Sequence, residues 1–171
     1  MRVPLARLPE RVQETLSNRK AAQLNLYRAL SNSPEAVESW LTFLWAVRDD
    51  FVTPRPLREL VILRVAFRED SAYEWHHHVE MARASGLSDE KVAEVRGPPT
   101  AAVFDEGERI ALELADAICA RGVTDKLAQI AVSHFGDRGF VELSITTSVY
   151  VMVARVLDAL GVPLEEEQGG D

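Results

Sequence analysis

The chain has 171 residues, of which 47% are hydrophobic and 27% are charged, a composition typical of an ordinary globular domain. The net charge of -8 argues against binding to nucleic acid or anionic membranes, because phosphate binding requires a concentrated basic surface. No apolar run approaches the roughly 20 residues that span a bilayer, and residues 1–10 lack the apolar core of a secretion signal. We therefore expect a cytoplasmic protein with neither nucleic-acid nor membrane partners.

The predicted elements are all helices. After an extended arm that contains Pro4 and Pro9, helical spacing of apolar residues and proline or glycine breaks predict about eight helices. They cover residues 10–19, 18–30, 34–49, two helices within 57–88, a short helix from 88, then 105–121, 124–135 and 140–160. The β-branched run 144–149 could be read as a strand, but it is assigned to the last helix. We expect one all-α domain over residues 1–164 and a disordered acidic tail over residues 165–171.

Residues 57–88 carry the candidate functional site. A polar turn at residues 68–70 joins the two helices of this stretch. Glu74 and His78 are four residues apart and share one helix face, with Ser71 one turn earlier. Glu59 lies in the preceding helix beside an apolar run, where a carboxylate is costly unless it has a partner. The pattern predicts a site made of Glu59, Ser71, Glu74 and His78.

General acid/base chemistry suits this set of side chains. An imidazole has an ordinary pKa of about 6.5, and a neighbouring carboxylate orients it and favours its protonated form. Glu59 and Glu74 would repel each other if both were ionised, so one of them can keep its proton near neutral pH. The alternative is purely structural. In that reading Glu74 and His78 form a surface pair, and Glu59 sits in the first turn of its helix, where the macrodipole favours a negative charge.

Metal and thiol chemistry are weaker alternatives. Adjacent helical residues point about 100° apart, so His76, His77 and His78 cannot all face one metal ion from a regular helix. A mixed metal site made of Glu74 and His78 stays open. Cys119 is the single cysteine and lies in an apolar helical stretch, which indicates a small buried residue rather than a catalytic thiol.

Three segments carry a resemblance to a known family: LRELVILRVAF at 57–67, YEWHHHVEMARASGLSDEKV at 73–92 and FDEGERIALELADAI at 104–118. With them the chain resembles the carboxymuconolactone decarboxylase family, which includes the alkylhydroperoxidase D (AhpD)-like proteins, from about residue 30 to residue 163. The resemblance implies an all-helical AhpD-like bundle that assembles into trimers or hexamers. The AhpD-like pattern is a glutamate, a CxxC pair and a histidine. Glu59 and His78 match its ends, whereas Ser71 and Glu74 occupy the two cysteine positions, so we expect no thiol peroxidase activity by that mechanism.

What remains of the pattern is similar to the decarboxylase branch, which implies a cofactor-independent lyase or isomerase that acts on a small carboxylic or lactone substrate. In this reading His78 is the general acid/base, Glu59 orients it or relays a proton, and Glu74 tunes it or accepts a proton. Ser71 and His77 are supporting hydrogen-bond groups. The alternatives are a non-catalytic oligomeric binding protein and a metal-dependent enzyme that uses Glu74 and His78.

Overall fold

The computed structural model describes residues 1–17 and 24–165 of the chain. Within these ranges the structure has eight α-helices and no strand, which confirms the all-α prediction. The helices are α1 (Glu10–Leu16), α2 (Asn25–Leu30), α3 (Pro34–Trp45), α4 (Arg55–Arg68), α5 (Ala72–Ala84), α6 (Asp89–Glu94), α7 (Glu106–Cys119) and α8 (Asp125–Leu160). The chain divides into two compact units, one of Met1–Ala46 with Val156–Asp171 and the other of Val47–Arg155.

The first unit contains the N-terminal arm and helices α1 to α3. The predicted extended arm is present, and the amide of Arg2 donates to the carbonyl of Leu160 at 2.8 Å. Helix α3 begins at residue 34 as predicted, with Pro34 in its first turn and Ser33 as its N-cap, although the Ser33 side chain makes no capping hydrogen bond. The predicted helices over 10–19 and 18–30 are shorter among the described residues, and residues 18–23 lie outside them.

The chain leaves α3 through one π-helical turn, Ala46–Asp50. The sequence predicts a regular α-helix to residue 49, so the change of hydrogen-bond register after Trp45 is a correction. A π turn inserts an extra residue into the helical ladder and rotates the side chains that follow it. Apolar spacing does not reveal this insertion, because Val47 is buried as in a regular amphipathic helix.

Helix α4 is the centre of the second unit. Every residue from Arg58 to Ala66 is buried, so neighbouring elements surround this helix on all sides. Leu60 and Leu63 belong to one apolar cluster together with Ala82, Leu87, Val92, Val95, Phe104 and Leu112. Val61 faces a second cluster, which is formed with Ile110, Ala111, Leu114, Ala115, Ala131 and Leu143. A polar side chain on α4 is therefore held rigidly and away from water.

Helix α8 contains the break that the sequence predicts. The sequence predicts two helices that are separated at residues 136–139, and the structure leaves helical conformation at Gly136, with φ 71° and ψ 170°, so that α8 consists of two helices joined at a kink. Thr124 caps the start of α8, since its hydroxyl accepts from the amide of Leu127 at 3.2 Å.

By length and composition α8 could cross a membrane, and half of its most apolar stretch is buried inside the protein. The expectation that no apolar stretch approaches membrane-spanning length is therefore wrong, and the absence of a membrane partner stays a prediction.

The division into a domain of residues 1–164 and a disordered tail of residues 165–171 also stays a prediction. Residues 166–171 lie outside the described part of the chain. At the boundary of this predicted tail, a Glu165 carboxylate oxygen accepts from the amide of Asn25 at 2.6 Å, within the first unit.

Candidate active site

The corner between α4 and α5 positions the two halves of the site. Asp70 adopts a left-handed conformation with φ 51°, which ends the connection after α4. Ser71 then caps α5, because its hydroxyl accepts from the amide of Glu74 at 3.4 Å and its own amide donates to the carbonyl of Ala66 at 2.8 Å. This tight corner lets α5 pack along α4, and it places His78 beside Glu59.

Glu59 and His78 form the buried core of the site. His78 Nδ1 lies 2.7 Å from Glu59 Oε2, and the two residues are 4% and 0% exposed. The other oxygen of Glu59 is paired with Arg55, one turn earlier on α4. Burial raises the pKa of Glu59, but the hydrogen bond and charge of His78, followed by the charges of Arg55 and Arg48, outweigh burial and lower it. The carboxylate that needed a partner therefore has two.

The position of Glu59 within α4 differs from the expectation. The helix begins at Arg55, so Glu59 is the residue after the first turn, and no acidic residue occupies that turn. The prediction that the helix macrodipole stabilises Glu59 is therefore wrong, because the effect falls off within one turn. Direct contacts with His78 and Arg55 stabilise the Glu59 carboxylate instead.

Glu74 lies on the opposite side of the imidazole. Its Oε2 is 3.4 Å from His78 Nε2, and the residue is 5% exposed. Burial raises the pKa of Glu74 and the nearby charge of Glu59 adds to this, whereas the charges of His78 and Arg48 offset only part of the rise. The structure thus joins Arg55, Glu59, His78 and Glu74 in a linear chain, with the pKa values of the two carboxylates shifted in opposite directions.

Two further residues contact or influence this chain, and sequence reasoning missed both. The ring of Tyr150 meets the ring of His78 edge to face, with centroids 4.9 Å apart. The charge of Arg48 lowers the pKa of both Glu59 and Glu74. Neither residue belongs to a local motif: Arg48 lies in the π turn and Tyr150 in an apolar stretch of α8. Only the tertiary fold brings them to the site.

A hydrogen-bond network fixes the segment that carries Arg48. The buried Arg58 guanidinium donates to the carbonyl of Arg48 at 2.8 Å, to that of Phe51 at 3.1 Å and to that of Thr53. From α8, the Glu142 carboxylate accepts from the amides of Val52 at 3.1 Å and Thr53 at 2.8 Å. These contacts satisfy backbone groups that an irregular loop would otherwise leave unpaired.

The predicted supporting residues, Ser71 and His77, contact a backbone amide and neighbouring rings. Ser71 contacts the backbone amide of Glu74 rather than a catalytic side chain. The ring of His77 packs against Tyr73, with centroids 4.5 Å apart, and against the exposed His76 at 5.1 Å. Catalytic support from Ser71 and His77 therefore stays a prediction.

The geometry bears on the metal alternative and on access. Glu59 engages Nδ1 and Glu74 faces Nε2, so the two carboxylates lie on opposite sides of the ring. In residues 1–17 and 24–165, no group of three or more His, Cys, Asp or Glu side chains could hold a metal ion.

Three cavities of about 690, 300 and 440 Å³ are formed by described residues, and their linings do not include Glu59, Glu74 or His78.

The fold is that of AhpD-like proteins of known structure. A putative antioxidant defence protein AhpD from Agrobacterium tumefaciens is 22% identical, with a TM-score of 0.74, and the match covers 80% of this chain and 95% of that chain. An uncharacterised peroxidase-related protein from Silicibacter sp. TM1040 is 18% identical, with a TM-score of 0.84 over 99% and 93%. The debrominase Bmp8, solved with 2,3,4-tribromopyrrole, is 15% identical, with a TM-score of 0.80 over 96% and 93%.

A family match lies in the central segment of the sequence. Residues 34–117 match the model of the carboxymuconolactone decarboxylase family, and the match confirms the predicted resemblance. No curated protein matches the chain. The segment contains Glu59, Ser71, Glu74 and His78, so most of the candidate site lies within the family region. The structural neighbours include a peroxidase-related protein and a debrominase, and one fold therefore carries more than one chemistry here.

Proposed function

We propose that the protein is a cofactor-independent lyase or isomerase that moves a proton on a small carboxylic or lactone substrate. One observation carries the proposal. A buried imidazole is held between two carboxylates whose pKa values are shifted in opposite directions. Such a separation of proton affinities within one cluster is typical of acid/base sites, where one group stays ionised while another keeps its proton.

The geometry supports a division of roles. An ionised Glu59 accepts the hydrogen bond from Nδ1–H of His78, which fixes the tautomer and directs Nε2 away from α4. Nε2 is then the atom that exchanges a proton, and Glu74 beside it is the proton reservoir, because its raised pKa keeps it protonated to higher pH. The tautomer follows from the hydrogen-bond network, with Glu59 as the acceptor.

The proposed reaction is a decarboxylation or an isomerisation without a redox step. In decarboxylation, the bond between the carboxylate carbon and its neighbour breaks and carbon dioxide leaves. The electron pair remains on the substrate as an enolate-like anion. Glu74 gives its proton to His78 Nε2, and Nε2 passes a proton to that anion. Solvent then returns a proton to Glu74, so each turnover consumes one proton and releases one carbon dioxide. In isomerisation the same group removes a proton at one position and returns it at another.

The thiol of the chain does not support an alternative peroxidase function. Burial raises the pKa of Cys119 to about 11, and the negative charges of Glu69 and Asp116 add to the rise. The reactive form of a cysteine is the thiolate, so Cys119 is a poor nucleophile at neutral pH. It is also the only cysteine, which leaves no resolving partner in the chain.

A second candidate is a non-catalytic binding protein that retains the family scaffold. The burial of Glu59, Glu74 and His78 favours it, as does their absence from the linings of the three cavities formed by described residues. On this alternative the cluster only stabilises the packing of α5 against α4. In the predicted trimer or hexamer, a second copy of the chain would decide whether a substrate reaches these three residues, if that copy completed a pocket beside them. Assembly and cytoplasmic location both stay predictions.

The test is a comparison of two histidines on α5. We expect a screen of lactones and β-keto acids for carbon dioxide release to identify a substrate, and H78A to lower turnover about 10²- to 10⁴-fold. H76A is the matched control, because His76 is exposed on the same helix and belongs to neither carboxylate contact. Circular dichroism should show that both variants keep their helix content.

Two outcomes separate the candidates. Equal turnover of H78A and the unmodified protein would reject His78 as the proton donor. No release of carbon dioxide and no isomerisation across the screen would favour the binding protein. Elemental analysis of the purified protein tests the metal alternative independently, since a stoichiometric zinc, iron or nickel content would revive Glu74 and His78 as ligands.

A further inference from the structure

A cavity of about 300 Å³ lies at the corner between α4 and α5. Its lining combines aromatic, small and charged side chains, namely Ala66, Phe67, Asp70, Ser71, Ala72, Trp75 and Arg96. We propose that this cavity binds a small planar carboxylate, with Arg96 as the residue that holds the carboxylate. The proposal deepens the proposed function, on which it rests for the identification of this ligand as a substrate or product.

Arg96 is a cation that is held in place but has no anionic partner. Its guanidinium carbon lies 3.8 Å from the centre of the Trp75 ring, close enough for a cation–π contact. Among the described residues, no carboxylate forms an ion pair with it. A guanidinium that lies over an indole ring still has N–H groups available, and their fork matches the two oxygens of a carboxylate.

The backbone on either side of Arg96 is also fixed. The buried Arg64 guanidinium donates to the carbonyls of Val95 at 2.7 Å and Gly97 at 2.6 Å. Asp116 in turn holds Arg64 through two hydrogen bonds of 2.7 and 2.6 Å. The wall that carries Arg96 is therefore preorganised, which reduces the entropy lost when a ligand binds.

The remaining walls favour a flat and largely apolar ligand. Trp75 is partly buried and Phe67 is 41% exposed, so both rings can cover the face of a ligand. Ala66 and Ala72 leave space between them because their side chains are small. A volume of about 300 Å³ is at the lower end of the range for small-molecule sites, which corresponds to a ligand with one ring.

The charges of the cavity predict how the ligand is oriented. Arg96 favours an anion, and so does the first turn of α5 at Ala72, because the amides there have no acceptor within the helix. Asp70 opposes an anion from the turn before α5. A ligand with one carboxylate can point it at Arg96 and away from Asp70, whereas a dicarboxylate on a single ring would bring a second charge towards Asp70.

Ser71 connects the cavity to the proposed active site. It lines the cavity, and its hydroxyl accepts from the amide of Glu74. A ligand in the cavity is therefore about one helical turn along α5 from Glu74. A carboxylate held by Arg96 would therefore lie beside the first turn of α5, the helix that also carries Glu74 and His78.

The experiment is a titration with benzoate that is followed by amide chemical shifts of the ¹⁵N-labelled full-length protein. We expect saturable shifts at Ser71, Ala72 and Arg96, and binding about tenfold weaker in R96Q. R83Q is the matched control, because it removes an equal charge from an exposed position at the other end of α5. D70N should tighten binding, and the neutral benzamide should bind about tenfold more weakly than benzoate.

Non-saturable shifts, shifts that map away from the corner of α4 and α5, or equal weakening by R83Q and R96Q would each overturn the proposal. The outcome is independent of catalysis. H78A should bind benzoate as well as the unmodified protein does, so failure of this site and failure of the acid/base assignment give different results. Loss of turnover in H78A with no benzoate binding would keep the proposed function and reject the cavity.

Discussion

Two of the buried charged residues of helix α4, Arg64 and Glu59, have opposite surroundings. Arg64 has a full set of partners, with two hydrogen bonds to Asp116 and one each to the carbonyls of Val95 and Gly97. Glu59, about five residues earlier, belongs to a chain that ends at Glu74, whose pKa is raised. The Arg64 cluster pairs its positive charge with a carboxylate and two carbonyls. The Glu59 cluster keeps two carboxylates with different proton affinities around one imidazole.

The difference separates a structural cluster from a candidate for chemistry. A fully satisfied buried network specifies packing, and nothing in it needs to change its protonation state near neutral pH. A network that holds two carboxylates with oppositely shifted pKa values beside a histidine is poised for proton transfer. Removing Arg64 should therefore lower the free energy of unfolding. Changes in the Glu59 cluster should instead alter how the free energy of unfolding depends on pH.

The largest expected effect on stability is that of R64A. The substitution leaves Asp116 without its bidentate partner and two backbone carbonyls without donors, so we expect a loss of about 3–5 kcal/mol in the free energy of unfolding. Urea denaturation at pH 7 measures it. R68Q is the matched control, because Arg68 is 41% exposed at its side chain, lies 3.6 Å from the same Asp116 and should contribute less than about 1 kcal/mol. Equal effects of the two variants would contradict the role of Arg64 as the central link.

The next effect in size is that of E59Q, which keeps the shape of the side chain but removes the charge that pairs with His78 and Arg55. We expect the free energy of unfolding to fall by about 2 kcal/mol at pH 7. The pKa of Glu59 is lowered in the folded protein, so its stabilisation is present above the ordinary value of 4.5 and is lost as the pH falls through the folded pKa. The stability difference between E59Q and the unmodified protein should therefore shrink in acid. A constant difference at every pH would show that lost packing, rather than lost charge, is responsible.

The same two clusters show how far the sequence alone could predict the site. The spacing of Glu74 and His78 and the apolar surroundings of Glu59 were enough to select the three residues, because helix periodicity is local and strong. Arg64 and Asp116 were not singled out, since they lie 52 positions apart and no local pattern joins them. Arg48, Arg58 and Glu142 were missed for the same reason, as their contacts depend on an irregular loop and on α8.

The fold shows the same division between local and long-range information. The caps at Ser71, Ser88 and Thr124 are local features, because each hydroxyl accepts a hydrogen bond from the amide three residues later. The break at Gly136 was predictable as well, because glycine adopts a positive φ without steric cost. The π turn at Ala46–Asp50 was not predictable, because a backbone irregularity of this kind leaves the apolar spacing nearly unchanged.

The smallest expected effect on stability, and the sharpest test of the comparison, is that of E74Q. The folded protein raises the pKa of Glu74 above its ordinary value of 4.5, so the folded state binds this proton more tightly than the unfolded state does. As the pH rises above 4.5, Glu74 therefore costs an increasing amount of stability, up to the folded pKa.

Glutamine carries no charge at any pH and avoids that cost, so E74Q should gain stability of about 1 kcal/mol over the unmodified protein at pH 8, and the gain should vanish below pH 4.5. Urea denaturation at several pH values measures the difference. The free energy of unfolding of E59Q should instead be lower than that of the unmodified protein. E59Q loses a stabilising charge, whereas E74Q loses a destabilising one. A gain for E74Q that does not depend on pH would show that Glu74 does not titrate differently in the two states, and the separation of proton affinities within the cluster would then be rejected.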